Sequence, residues 1–373
     1  ERKVKMKIKI KCKLITPMFM AGASGRTSEL RPSEFKGMMR FWWRAIKAKK
    51  NIEDLKKEEA KIFGGSGENE VKSKITIKVY PQPRYIGTNL KEDYQLEWQF
   101  DKNLHSLVDK HGGIGYLLYS TVLSGKERKY IKPDFMFNIE LISLDEYAIK
   151  NAVASLWASI YLGGFGTRAR RGGGNIAVEE IEGESYGLNF KPKVNNNSDL
   201  YEWLKFNLDK SFSLINKDTE ASRDFVTKYS NLSLLRIIIS ERTFSNWKDA
   251  LNDIGNTYAG FRNKNRTKIF DTAVFGLPVM HRNIIIKGKK EKEIISPRSS
   301  PIIFKIIESE KKFFWYVIRL SGEFLEEGAV IGTHHTQKPD YRLIDEFWNE
   351  LKREKERKGV EFVLSKPQIL NDI

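Results

Sequence analysis

Residues 163–175 read Gly-Gly-Phe-Gly-Thr-Arg-Ala-Arg-Arg-Gly-Gly-Gly-Asn, a run with six glycines, three arginines and no carboxylate. The run follows a helical pattern and leads into a strand pattern. Glycines let the backbone of a polyanion approach main-chain N–H groups closely. Arg168, Arg170 and Arg171 add forked donors that match phosphate oxygens. The run therefore predicts a loop that contacts phosphates, with a solvated basic hairpin after a glycine helix stop as the alternative.

A nucleotide-binding phosphate loop is a competing interpretation of this run, and two observations exclude it. The run does not end in Gly-Lys-Ser or Gly-Lys-Thr, so the Walker pattern is missing. Nucleotide loops also lead from a strand to the positive N-terminus of a helix, whereas this run leaves the negative C-terminus of one. Because the arginines must supply the positive field alone, the run suits a long nucleic-acid backbone better than a single nucleotide.

The composition favours a polyanionic partner. The chain has 373 residues, with 65 lysines and arginines against 48 aspartates and glutamates, a formal net charge of +17. An excess of this size attracts nucleic acid. The single cysteine, Cys12, excludes internal disulfides and cysteine-based zinc clusters. No run approaches the roughly 20 apolar residues of a membrane span, and the N-terminus lacks a signal-peptide core, so we expect a cytoplasmic protein with no membrane partner.

Apolar periodicity predicts the elements of the first half. Residues 3–14 alternate strictly between lysines and apolar side chains, which is typical of a half-buried strand. Further patterns predict a helix, two strands, a second helix and a last strand, at residues 34–50, 71–80, 135–141, 145–162 and 175–182. This order of elements is that of the ferredoxin-like split βαβ fold, the scaffold of many RNA-binding domains.

The second half repeats the order less clearly, after an added helix near residues 199–215. Its strands and helices are expected at residues 232–239, 245–262, 301–308, 313–320, 340–357 and 360–364. Residues 184–199 include three consecutive asparagines and look like a linker. The sequence therefore predicts an α+β protein with two ferredoxin-like, RRM-like domains in tandem, residues 1–185 and 200–373.

Signals for catalysis are weak. The five histidines are too few and too scattered for a convincing metal site. No nucleophile elbow, paired-acid signature or carboxylate set for two metals is present. We therefore expect no catalytic residue, no metal and no cofactor. The alternative is a general base at His334 or His335 that activates a 2′-hydroxyl for RNA cleavage.

Basic residues outside the loop extend the candidate binding surface. Lys36, Arg40 and Arg44 form a stripe on the first helix, with Trp43 beside them as a base-stacking or packing residue. Lys264 stands in a second basic cluster, at residues 262–266. The outward faces of the first two strands carry lysines rather than aromatics, which indicates contact with the nucleic-acid backbone rather than readout of bases.

Residues 29–44, Glu-Leu-Arg-Pro-Ser-Glu-Phe-Lys-Gly-Met-Met-Arg-Phe-Trp-Trp-Arg, resemble the signature of subunit 1 of the Cmr complex, in the RAMP superfamily. The run at 163–175 resembles the glycine-rich loop shared across RAMP proteins, and residues 274–278 and 296–298 are also similar to the subunit-1 family. The resemblance implies tandem ferredoxin-like RAMP domains in a type III-B CRISPR ribonucleoprotein. It also implies contact with the 3′ region of the guide RNA, with target RNA or with both, and no cleavage activity of its own.

The resulting hypothesis is a non-catalytic RNA-binding subunit that serves antiviral RNA silencing. Its partners would be guide RNA and/or target RNA and other Cmr complex subunits. The candidate RNA-binding residues are Lys36, Arg40, Trp43, Arg44, Gly164, Gly166, Arg168, Arg170, Arg171, Gly172, Gly173, Lys264, Arg266 and Arg298. Replacing the three loop arginines by alanine is expected to weaken RNA binding with little change in melting temperature. A metal-independent CRISPR endoribonuclease of the same fold is the alternative, and a protein-interaction adaptor with an incidentally basic surface is a third possibility.

Overall fold

The computed structural model describes residues 4–22, 25, 27–67, 70–103, 106–125, 127–216, 229–281, 284–290, 293–294, 298–322, 325, 328–332, 336–352 and 359–365. The first half contains β1 (Met6–Leu14), α1 (Pro32–Lys47), α2 (Ile52–Phe63), β2 (Thr76–Tyr80), β3 (Ile86–Gly87), α3 (Leu90–Asp93), β4 (Gln99–Asp101), β5 (Ser106–Val108), α4 (Gly112–Leu117), β6 (Tyr130–Ile131), β7 (Met136–Ser143), α5 (Glu146–Tyr161) and β8 (Ile176–Gly183). The second half contains α6 (Asn197–Ile215), β9 (Asn231–Ser240), α7 (Trp247–Lys264), β10 (Val279–His281), β11 (Ile284–Lys290), β12 (Glu293–Ile294), β13 (Ile302–Ser309), β14 (Lys312–Ser321), β15 (Val330–Gly332), β16 (Thr336–Gln337), α8 (Arg342–Leu351) and β17 (Gly359–Ser365).

The main sheet of the first half has the strand order β2-β7-β1-β8, and each neighbouring pair is antiparallel. Strands 1 and 3 of the motif therefore lie at the centre, as the split βαβ order requires. The predicted alternation of β1 is confirmed, because Ile8, Ile10, Cys12 and Leu14 are buried. α1 and α5 pack against each other beside this buried face.

The second half repeats this arrangement, with the antiparallel strand order β13-β14-β9-β17. α7 contacts β13 and β14, and it also packs on α8. The predicted fold class, an α+β protein with two ferredoxin-like domains in tandem, is confirmed. Strands β10, β11, β15 and β16 form a further small sheet, in which β12 pairs with β11.

The predicted linker, residues 184–199, is mostly exposed, but three of its apolar side chains pack into the protein. Leu188, Phe190 and Val194 are buried, and the Ser309 hydroxyl accepts a hydrogen bond from the Val194 N–H at 2.9 Å. One hydrophobic cluster joins α1 and α5 of the first half to α6, β9 and β14 of the second. The two halves thus share a core, and the exact domain limits, 1–185 and 200–373, stay a prediction.

Three local features differ from the expectations. α2 was not predicted, although the Asn51 side chain caps it by accepting hydrogen bonds from the Glu53 and Asp54 N–H groups. α1 begins at Pro32 with Arg31 at the N-cap, because proline fits the first helical position. β2 is shorter than the predicted strand, and Val71 is exposed.

Among the described residues, none of the helices combines the length and apolar character needed to span a membrane.

Candidate nucleic-acid interface

The glycine-rich loop, residues 163–175, lies across the segment that follows β1. The Phe165 N–H donates to the Gly174 carbonyl at 3.1 Å, and the Gly174 N–H donates to the Pro17 carbonyl at 2.9 Å. The Thr167 N–H donates to the Phe19 carbonyl at 2.8 Å. The two ends of the loop are buried, whereas residues 166–171, the loop tip, are all half-buried. The tip is therefore the part of the loop that a ligand can reach.

The glycines of the loop are required mainly by packing. At Gly174, where φ is +61°, a Cβ would lie 1.9 Å from the Phe165 carbonyl oxygen. At Gly166, where φ is +81°, a Cβ would lie 2.7 Å from the Phe19 oxygen. Both positions combine a left-handed backbone with a close approach that excludes a side chain.

The buried glycines Gly164, Gly172 and Gly173 correct the expectation that all loop glycines expose backbone to a ligand. A Cβ on Gly164 would lie 3.0 Å from the Gly173 carbonyl oxygen, so the two ends of the loop pass close together. A Cβ on Gly172 would lie 2.5 Å from Leu251 of α7. These three glycines shape the loop and seat it on the second half.

Arg168 is the arginine of the tip that faces the inserted segment between β2 and β7. Its Nε donates to the Ser120 hydroxyl at 3.0 Å. Burial, followed by the charges of Arg171 and Arg128, lowers the pKa of Arg168. Arg128 is exposed, and its Nη1 donates to the Thr167 hydroxyl at 3.5 Å. Two guanidinium groups of like charge therefore flank the tip.

Arg170 and Arg171 reach the second half. The Arg170 guanidinium donates to the Ser300 carbonyl and lies 5.0 Å from the centroid of the Phe41 ring. Burial, and then the charge of Arg171, lowers the pKa of Arg170 to about 10. The Arg171 Nη2 donates to the Phe275 carbonyl at 3.1 Å. Little change in melting temperature stays a prediction for Arg168, whereas for Arg170 and Arg171 we expect a decrease on replacement, because their side chains join the halves.

The loop arginines and the lysines of β1 differ in whether carboxylates pair with them. Within the described parts of the chain, Arg128, Arg168, Arg170 and Arg171 form no ion pair with a carboxylate. On the open face of the first sheet, every lysine of β1 is paired, as the following contacts show: Lys7 with Glu140, Lys9 with Glu182, Lys11 with Glu180, and Lys13 with Glu179 and Glu308. The loop arginines therefore keep positive charge that no described carboxylate pairs with, whereas the sheet face carries both signs.

The basic stripe of α1 is partly neutralised. The Arg40 Nε lies 2.6 Å and the Arg44 Nη1 2.5 Å from the same oxygen of Glu59, whose side chain is 3% exposed. Lys36 has no carboxylate partner among the residues that the structure describes. Lys36 and Arg40 line a cleft of about 340 Å³, bounded by the end of α2 and residues 64–66. Burial, and then the charge of Arg40, lowers the pKa of Lys36.

Trp43 is corrected from a possible base-stacking residue to a core residue. Its side chain is fully buried, and its Nε1 donates to the Asn151 amide oxygen of α5 at 2.7 Å. Because the side chain is fully buried, the ring is not accessible to a base.

The basic residues of the second half take separate positions. Lys264 pairs with Glu350 of α8 at 3.1 Å. Arg266 donates to the Asn103 carbonyl at 2.5 Å. Arg298 is half-buried and precedes Ser300, the acceptor for Arg170, by two residues. Of the three, Arg298 is the residue that the fold brings beside the loop.

Comparisons with known proteins show which family the chain belongs to. The family model described as "RAMPs: RAMP superfamily" matches residues 11–177. The CRISPR system Cmr subunit Cmr1-2 of Pyrococcus furiosus is 35% identical over 181 residues, which are 45% of this chain and 92% of the relative. The chain belongs to the RAMP superfamily. A second subunit of that organism, Cmr1-1, is 26% identical over 330 residues, 87% of this chain and 86% of the relative.

Solved structures show the same RAMP fold. The crystal structure of Cmr1 from Pyrococcus furiosus, in its apo form, has a TM-score of 0.63 at 21% identity, over 97% of this chain and 99% of that chain. A chain of the type III-B Cmr-beta complex bound to cognate target RNA has a TM-score of 0.54 at 14% identity, over 94% and 99% of the two chains. The similarity to Cmr subunits expected from residues 29–44, and to RAMP proteins expected from residues 163–175, is confirmed.

Two basic residues of this RAMP protein were missed from the sequence, Arg128 and Lys305, whereas Arg262 lay in the predicted basic cluster at 262–266 but not among the candidate RNA-binding residues. Lys305 of β13 is 1% exposed. Its ammonium donates to the carbonyls of Ile160, at 2.8 Å, and Gly163, where α5 ends and the loop begins. Burial lowers the pKa of Lys305 to about 7. A lysine inside the apolar run of a strand is the signal that could have indicated a buried, hydrogen-bonded cation.

His334 and His335 lie outside the described residues, as do Ser296 and Pro297 of the family-like segment at 296–298. His111 is described, and its Nδ1 accepts a hydrogen bond from the Glu97 N–H at 3.0 Å. That contact joins the residues that flank β4 and β5 within the inserted segment.

Proposed function

We propose that this RAMP protein is a non-catalytic RNA-binding subunit of a type III-B Cmr ribonucleoprotein. It would hold the 3′ region of the guide RNA and/or the target RNA, together with other Cmr subunits. One observation carries the proposal: the accessible tip of the glycine-rich loop gathers arginines that no described carboxylate neutralises. The relatives named above are Cmr subunits, and one structural neighbour belongs to a complex bound to target RNA.

The chemistry of the tip fits a ribose-phosphate backbone. The half-buried residues 166–171 place Arg168 beside the exposed Arg128, so two guanidinium groups can reach successive phosphates. In the described structure, the N–H groups of Ala169 and Arg170 donate to no protein acceptor and remain available to phosphate oxygens. Phosphate contacts of this kind position a strand without reading its sequence.

The test replaces the two arginines of the tip that do not join the halves. The double variant Arg128→Met with Arg168→Met is compared with the wild type by fluorescence anisotropy on single-stranded RNA at several salt concentrations. Each lost phosphate contact reduces the slope of log K against log salt by about 0.7 for a single strand, so we expect a reduction of about 1.4. The matched control is Lys9→Met with Lys11→Met, which also removes two positive charges, but from the ion-paired face of the sheet.

The control should keep most of the wild-type slope, because Glu182 and Glu180 already neutralise its lysines. Equal slopes for the wild type and the loop variant, or an equal reduction in both variants, would reject the loop as the phosphate-binding surface. The non-catalytic part of the proposal is checked separately, by incubating the pure protein with labelled repeat RNA and EDTA. Site-specific cleavage that is lost in His335→Ala would favour the endoribonuclease alternative.

A further inference from the structure

Arginine and tyrosine side chains from three separate segments meet where the two halves join. The Arg171 guanidinium of the loop lies 4.8 Å from the centroid of the Tyr258 ring. The Arg262 guanidinium, one turn further along α7, lies 5.8 Å from the same centroid. Tyr116 from the end of α4 packs edge-on against Tyr258, with ring centroids 5.8 Å apart. Arg168 adjoins this group and interacts electrostatically with Arg171.

The hydrogen bonds at this junction leave donors unused. The Tyr258 hydroxyl accepts from the Arg262 Nη1 at 3.3 Å, so its own proton remains free to donate. The Tyr116 hydroxyl has no hydrogen-bond partner in the described residues, and it lies within electrostatic reach of Arg262 and Arg171. Burial raises the pKa of Tyr116, which keeps the phenol protonated and able to donate.

The junction also carries uncompensated positive charge. Within the described ranges, Arg168, Arg171 and Arg262 form no ion pair with a carboxylate. The Arg171 Nη1 is buried and has no hydrogen-bond partner. Buried donors without acceptors and neighbouring like charges both destabilise a folded protein, so an arrangement of this kind is expected to gain stability from a bound anion.

We propose that Arg171, Arg262 and Tyr116, with Arg168 at the edge, form a site for a single phosphate group. Planar guanidinium forks and a phenol donor match the tetrahedral oxygens of phosphate, and the site lies immediately behind the loop tip. The proposal deepens the function proposed above and rests on it only for the source of the phosphate, which is an internal phosphodiester or a phosphorylated end of RNA. In this site, Tyr116 of α4 and Arg262 of α7 contact the phosphate directly.

The first experiment asks whether the site exists, without RNA. Thermal unfolding of the full chain is followed in increasing inorganic phosphate, with chloride at matched ionic strength as the reference. A saturable rise in Tm is expected for the wild type, because a ligand that binds only the folded state stabilises it. The rise should be lost in Arg262→Met and kept in Arg342→Met, a charge-matched control at the start of α8 whose exposed side chain pairs with Asp340.

A second, more conservative variant tests the site even if Arg262→Met does not fold. Tyr116→Phe removes one hydroxyl and should weaken phosphate binding about tenfold, as expected for a hydrogen bond to a charged group, with the Tm in chloride unchanged. A rise in Tm that does not saturate, or one that is equal in the wild type, Arg262→Met and Tyr116→Phe, overturns the site and leaves an adventitious ion effect only.

The second experiment identifies the source of the phosphate with matched RNA oligonucleotides that carry a 3′-phosphate, a 5′-phosphate or neither. Tighter binding of one phosphorylated end, lost in Arg262→Met, supports a terminal phosphate. Equal binding of all three, weakened about tenfold in Arg262→Met but not in Arg342→Met, supports an internal phosphodiester. Unchanged RNA binding in Arg262→Met overturns the site, while the salt slope of the Arg128 and Arg168 double variant still decides the proposed function separately.

Discussion

Lys305 offers a sharp test of how the second half holds the glycine-rich loop. Burial lowers its pKa from 10.5 to about 7, so above pH 7 the folded state holds a neutral amine while the unfolded chain still binds the proton. The unfolded state then binds more protons, and the free energy of unfolding rises with pH until the lysine of the unfolded chain also loses its proton. The contribution is about 1.4 kcal/mol for each pH unit, or about 2.5 kcal/mol between about pH 7.5 and 9.5.

The perturbation is Lys305→Met, which keeps an unbranched side chain and removes the titrating group. Urea unfolding of both proteins across this pH range gives the free energy of unfolding at each pH, and the difference between wild type and variant should grow in favour of the wild type as pH rises. Lys305→Gln is the second variant, because its amide can still donate to the Ile160 or Gly163 carbonyl without titrating. Parallel pH profiles for the wild type and both variants would refute the assignment of a buried, largely neutral lysine at the start of the loop.

Two further predictions concern helices α1, α2 and α7. Gly37→Ala and Gly260→Ala each add a methyl group in open space on an exposed helical position, so each should stabilise the protein by about 1 kcal/mol through helix propensity; an unchanged or lower urea midpoint in either variant counts against this. Glu59→Gln should lower the free energy of unfolding by about 2 kcal/mol, since it removes a buried carboxylate shared by two half-exposed arginines. The same variant should strengthen RNA binding at low salt by freeing Arg40 and Arg44, and anisotropy that shows no gain would remove these two arginines from the RNA-binding surface.

Periodicity predicted most of the elements because it reports directly which face of a segment is buried. The alternation at residues 3–14 became β1, and the helical pattern at 145–162 became α5. The pattern could not report that the lysines of β1 face glutamates on β7, β8 and β13, because those partners are set by strand order and register. The outward lysines therefore suggested a phosphate-binding face, whereas pairing leaves that face with both signs of charge.

The site itself was only partly predictable. The run at 163–175 indicated a glycine-shaped, arginine-rich loop, and its left-handed backbone at Gly166 and Gly174 follows from those glycines. Trp43 shows the limit, since a tryptophan beside a basic stripe has the same sequence context whether it stacks on a base or packs in a core. Trp43 packs in the core, where its indole N–H donates to Asn151 of α5, 108 residues away in the sequence.

The sequence by itself therefore determined the two ferredoxin-like halves, the strong positive charge and the conformation of the loop, because each depends on local periodicity, composition or backbone freedom. Tertiary structure decided which arginines remain free and which join the halves. Arg171 meets the Phe275 carbonyl 104 residues away, and Lys305 reaches Ile160 across 145 residues. Such partners are chosen by how sheets and helices pack, and a long guanidinium or ammonium side chain binds whichever buried acceptor that packing brings within its reach.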